Sequence, residues 1–363
     1  MNISEQKRFK NVEEFLEETK NIETATRRNL HKARALQIKG IKKLTAEQLV
    51  KNYNMSMDLA EEAKRHCSYI VKIGTRWFPL SSLSKASLQE RAGVAGQALD
   101  KLRPEQYSRV LNTCLKTTSE KSTIVFYNDV VLAFLSQNYK ILKIDEIYSA
   151  VDDKIKSLNG KFVSGETDIE TVSALYKLPL AVTQGYKHII PDTAVPVVSV
   201  RTSNIGLSGA NIFPLFEYKN SYVQIGDPLL LQHKGNATID LFKENIDQIY
   251  ALYQKSLKAI NDLKSIRIDN PLDCLINVAQ QIKIPKKYLS SLLVDFQVSM
   301  KEVVATTAYD VYNALLEAIF YAKEDGKNDK QISNLRENLA RVIKFNWKSY
   351  DYKSIDYIQG RFF

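Results

Sequence analysis

Residues 195–218 read VPVVSVRTSNIGLSGANIFPLFEY. From 196 to 202 the residues are largely β-branched, with polar positions two apart, the pattern of a strand with one buried face. Gly206 and Gly209 punctuate a loop, and 211–218 reads as the returning strand. SYVQIGDPLLLQHKGN (221–236) adds a strand pair around the turn at Gly226-Asp227-Pro228. Residues 170–236 are therefore expected to be mostly β.

The flanks extend this reading. STIVFYN and DVVLAFLS, split by Asn128-Asp129, read as a hairpin with one largely buried strand. KIDEIYSAVDDKIKSL is an amphipathic helix, with Ile144, Ile147, Val151 and Ile155 near helical spacing. KFVSGET follows Gly160 as a short strand or loop. Beyond 237 the apolar residues fall at 239, 242, 246, 249, 253, 257, 260 and 263. Those steps of three and four predict one long helix, packing on a core or a partner helix. Helices at 308–325 and 331–345 follow. The expectation is an α+β fold: a helical N-terminal region, a central mixed, mostly antiparallel sheet, and a helical C-terminal region. The units read as 1–43 (a basic helical arm), 44–120 (helical), 121–236 (α+β sheet), 237–345 (helical) and 346–363 (an aromatic and basic tail).

The chain has 363 residues, and its 51 Lys and Arg exceed its 41 Asp and Glu by 10. That excess favours polyanionic partners. Only 13 Gly and 9 Pro occur, which excludes collagen-like and Pro/Gly-rich disordered classes. Cys67, Cys114 and Cys274 are far apart and odd in number, and no CxxC, HxxxH or HExxH occurs. The expectation is three free thiols in a reducing cytoplasm, with no metal and no cofactor. No apolar run reaches 18 residues and no h-region opens the chain, so neither a membrane span nor a signal peptide is expected.

Charge is segregated near the start. The first 18 residues hold five acids and three bases, whereas 20–43 hold eight bases and one acid, Glu23. Arg27, Arg28, Lys32, Arg34, Lys39, Lys42 and Lys43 thus read as a phosphate-tracking arm, because Lys and Arg release counterions from nucleic acid. A solvated helical face is the alternative.

Downstream, LTAEQLVKNYN carries a capping box at Thr45 and Gln48. MSMDLAEEAKRHC reads as a second helix, YIVKIGTRWFPL as a hairpin around Gly74-Thr75, and SSLSKASLQERAG as a helix capped by Ser81 or Ser82. This order resembles the winged helix-turn-helix of phage excisionases, through Lys72, Gly74, Arg76, Trp77 and Pro79. The resemblance implies that Lys72 and Arg76 touch DNA from a wing. Asp58, Glu61 and Glu62 on the preceding helix oppose that, since they would repel phosphates.

Several segments together are similar to the phage/plasmid-like family, also called domain of unknown function 932. Val131–Val151 matches with Ser136 and Tyr139, RTSNIGLSGANIFPLF with Ser203 and Gly206, and a later H-x-G with His233 and Gly235. TAYDVYNALLEA matches with Asp310, Tyr312, Asn313 and Ala314. The resemblance spans roughly 80–345 and implies a phage, prophage or plasmid setting, with no catalytic residue assigned.

No phosphate-cradling GxxxxGK[ST] and no GxGxxG occurs, and Gly206–Ala210 fails the GxSxG spacing, so the Gly-rich turn reads as structural. Trp347, Tyr350, Tyr352, Tyr357, Phe362 and Phe363 interleave with Lys344, Lys348, Lys353 and Arg361. That is either a stacking surface for single strands or a terminus docked on the core. The leading expectation is a non-enzymatic DNA-binding protein in the host cytoplasm, using residues 20–43 and the 72–76 hairpin. The alternative is protein binding or self-association through 237–266. An enzyme ranks third.

Overall fold

The computed structural model describes residues 6–183, 185–186, 194–219, 221–300 and 305–353. The chain begins with β1 (Lys7–Phe9) and α1 (Val12–Ala25), where Asn11 caps the helix by accepting the Glu14 N–H at 2.9 Å. The basic stretch that follows is not a helical arm. Thr26–Lys32 is β2 and Gln37–Gly40 is β3, with Ala33, Leu36, Ile38 and Ile41 buried around them. The physical reason is pairing: all of β2 runs antiparallel to residues 121–127, an apolar run that needs a neighbour on each side.

α2 (Ala46–Tyr53) opens on the Thr45–Gln48 capping box read from sequence. α3 (Met57–His66) is capped by Ser56. β4 (Tyr69–Ile73) and β5 (Arg76–Leu80) turn at Gly74, whose φ is +62°. α4 (Ser84–Arg91) starts after Leu83 without a side-chain cap; Ser81 contributes its carbonyl, which accepts from Ser84 Oγ. α5 (Pro104–Thr117) carries Pro104 in its first turn. β6 (Lys121–Tyr127) and β7 (Val130–Ser136) are joined by Asn128 and Asp129, both at positive φ, as a two-residue hairpin demands. α6 (Ile144–Ser157) leads into β8 (Lys161–Thr167) and β9 (Val172–Lys177). Then come β10 (Val195–Thr202), β11 (Ala210–Tyr218), β12 (Ser221–Gln224) and β13 (Leu229–Leu231).

The single long helix expected over 237–266 is two, α7 (Ile239–Asp247) and α8 (Ile249–Asp262), broken at Gln248. α9 (Pro271–Gln281), α10 (Lys286–Ser299), α11 (Ala308–Glu324) and α12 (Asp329–Val342) complete the described helices. None of them is long and apolar enough to cross a membrane.

The class is α+β, but the strands form two sheets rather than one. A seven-stranded antiparallel sheet has the order β1-β8-β9-β10-β11-β12, with β13 also on β11. A six-stranded sheet has the order β2-β6-β7-β5-β4-β3, antiparallel except where β5 meets β7. Strands from before residue 81 therefore enter both sheets, and a boundary at 121 would cut the second. The largest core lies between the inner face of the first sheet and the helices. Tyr148 of α6 donates its hydroxyl to Val172 O at 2.5 Å, and the Tyr253 hydroxyl of α8 sits 2.5 Å from Val197 O. Phe242, Ile246, Ile249, Tyr253, Leu257 and Ile260 are all buried in this core. The stripe that suggested a docking surface over 237–266 is internal to the chain.

The tail is partly outside the described residues, including Tyr357, Arg361, Phe362 and Phe363. Its described part docks. Trp347 is buried, Tyr350 stacks on Phe345, and Asp351 caps α9 by accepting the Asn270 N–H at 2.7 Å and the Asp269 N–H at 2.9 Å. Burial works to raise the Asp351 carboxyl pKa. The bonds from Asp269, Asn270 and Lys348 outweigh it, and the pKa is lowered. A depressed folded pKa stabilises above the unfolded value and loses that contribution as pH falls through the folded one. Asp351→Ala should therefore cost about 2 kcal/mol at pH 7 in urea unfolding. The gap to wild type should begin to close below about pH 3.9, the ordinary Asp value.

Candidate nucleic-acid interface

β2 and β3 form opposite edges of the six-stranded sheet, five strand spacings apart, or about 24 Å in a flat sheet. Yet Lys32, which ends β2, and Gln37, which starts β3, are five residues apart, which spans at most about 18 Å. The sheet must curl, bringing its two edges together at one end. Residues 32–43 run around that rim. Lys32, Arg34, Lys39, Lys42 and Lys43 are exposed there, and none has an ion-pair partner among the described residues. No acid occurs between Glu23 and Glu47. Lys121, which the charge pattern of 20–43 does not include, pairs directly opposite Lys32 on β6. Like charges facing across strands repel, and a bound phosphate would relieve that repulsion. The strand register, invisible until the pairing is known, was the signal.

The other predicted contacts lie elsewhere. Arg27 and Arg76 each lie against Phe78, with guanidinium carbons 5.8 and 5.2 Å from its ring centroid. Arg27 is ion-paired with Asp129 at 2.9 Å. The β4–β5 hairpin is paired with β3 along β4 and meets β7 only at Leu80–Val131, the end away from its Gly74 turn. The cavity beside Arg76, about 350 Å³, is lined by Asp58, Glu62 and Asp129. With Asp129 paired to Arg27, Asp58 and Glu62 remain beside Arg76 and disfavour a phosphate there. Lys72 stands opposite Gln37, and so on the sheet face away from Arg76 and Phe78. The nine residues thus do not share one surface; Lys32, Arg34, Lys39, Lys42 and Lys43 follow one another, all exposed, along residues 32–43.

Arg28 is a structural residue. It forms an ion pair with Glu23 in which the side chains are 10% and 11% exposed, and it donates to Asn204 Oδ1. Glu23 also accepts from the Ile144 N–H at the start of α6. This network ties β2 to the loop after β10.

Three of the four segments quoted above for the family resemblance converge beside it. Tyr139 stacks on His233, with ring centroids 4.7 Å apart and planes 12° apart. His233 Nδ1 lies 3.0 Å from Lys140 O, which fixes the proton on Nδ1. Burial lowers the His233 pKa, so the ring is neutral at pH 7. Ser203 Oγ donates to Glu170 O at 2.6 Å and accepts the Leu207 N–H, shaping the loop. Gly206 has φ +82° and packs on Leu135 and Tyr139, where a side chain would clash. Gly209 does not need positive φ; the Leu231 carbonyl lies where its Cβ would be. The fourth segment is separate: Asp310 accepts from Thr307 N and Oγ1 and caps α11.

Ser208 Oγ and His233 Nε2 are buried, and neither has a hydrogen-bond partner among the described residues. They do not form a nucleophile–base pair. His188 lies outside the described residues. Ser208→Ala should leave thermal stability and DNA affinity unchanged, read by melting and anisotropy. Among the described residues no cluster of His, Cys, Asp or Glu is placed to hold a metal ion. The three cysteines are unlinked, and burial pushes the Cys67 and Cys274 thiols up to about 12.

No family model, no curated protein and no solved structure matches the chain. The family resemblance therefore rests on the segments quoted above.

Proposed function

We propose that the chain is a non-enzymatic DNA-binding protein of a phage, prophage or plasmid, acting in mobile-element DNA metabolism or regulation in the host cytoplasm. The observation that carries the DNA-binding reading is the rim: five exposed cations within twelve residues, none ion-paired among the described residues. Such a strip contacts phosphates without reading bases, so it binds sequences alike. The mobile-element setting is supported by the family resemblance. The test is fluorescence anisotropy at low salt with two duplexes of unrelated sequence. Similar affinities for both support the reading, and no binding to either rejects it. Docking of a protein partner on 237–266 loses its motivation, because the apolar stripe there is buried in the chain's own core.

A further inference from the structure

The seven-stranded sheet buries one face, through Val198, Val200 and Ile212, and turns the other outward. Its register aligns the outward side chains in rows. Glu166, Ser173, Arg201 and Asn211 form one row across β8, β9, β10 and β11. Ser164, Leu175, Ser199 and Phe213 form the next. A cavity of about 330 Å³ lies over these rows, closed at the β12 side by Lys323, Lys327 and Arg336. Four basic side chains thus line it against one acid, Glu166, which Arg8 already neutralises at 2.9 Å.

Three features indicate an occupant. Arg201, at the centre, has no side-chain hydrogen bond or ion pair among the described residues. Ser221, 2% exposed, lines the cavity, and its Oγ has no hydrogen-bond partner among them. Phe213 and Tyr222 offer half-buried rings, with the Arg336 guanidinium 5.5 Å from the centroid of the Tyr222 ring. Cations that hold phosphates beside rings that stack bases are the composition of a single-strand site. A duplex keeps its bases stacked inside and presents nothing to those rings.

We propose that the outer face of the seven-stranded sheet binds single-stranded nucleic acid, with a phosphate at Arg201 and bases against Phe213 and Tyr222. This rests on the nucleic-acid reading above but places a second site away from the rim. The test compares wild type, R201Q and Y222A by anisotropy, with labelled oligothymidylate and with duplex of the same length. Each variant should lose about tenfold in oligothymidylate affinity, with duplex affinity and melting temperature unchanged. If R201Q melts early, K327Q at the cavity mouth takes its place, with the same selective loss expected. Wild-type oligothymidylate affinity in the folded variants overturns the proposal. A wild-type chain that binds duplex but not oligothymidylate overturns the groove and leaves the rim standing; one that binds neither overturns both.

Discussion

Arg28→Ala should destabilise the fold by about 3 kcal/mol, measured by urea unfolding. The change leaves the Glu23 carboxylate, 11% exposed, without its guanidinium partner in a poorly hydrated site. It also removes the donor to Asn204, so the link from β2 to the loop after β10 is cut. Arg27→Ala is the control. Arg27 is exposed and paired with Asp129 at the surface, where such pairs are worth about 1 kcal/mol or less. Equal costs for the two neighbours would contradict the buried network.

Replacing Lys32, Arg34, Lys39, Lys42 and Lys43 together with glutamine should abolish most DNA affinity. Each lost phosphate contact removes about 0.9 from the slope of log K against log salt on duplex DNA. Five contacts are worth a slope of about −4.5, and the variant should approach zero. Its stability should hold or rise, since Lys32 no longer faces Lys121. Full affinity in a folded variant would remove the rim from the interface.

Local chemistry made much of the fold readable. Asn128-Asp129, Gly74 and the Thr45–Gln48 box act within a few residues, and each turn or cap forms where the sequence puts it. What the sequence hid was long-range. β2 reads TRRNLHK, polar on both sides, and becomes a strand because β6 supplies its partner. The break at Gln248 keeps the apolar spacing in phase, so periodicity alone could not show two helices. The basic segment was legible as charge, but which charges are free was not. Arg28 is neutralised by Glu23, five residues before it, and Arg27 by Asp129, a hundred residues on. The outer-face cavity was hidden for the same reason: Ser173, Arg201 and Asn211 meet only through the pairing of three strands. The polar positions Ser199 and Arg201 within VVSVRT were the local trace of it.

On the proposed function, this chain holds DNA through backbone phosphates at the rim. The most direct measurement is the affinity of the wild-type chain for a duplex as salt rises from about 50 to 200 mM. A slope near −4.5 and a loss of roughly 500-fold across that range are expected. Binding whose slope is close to zero, or no binding at the low-salt end, would contradict it.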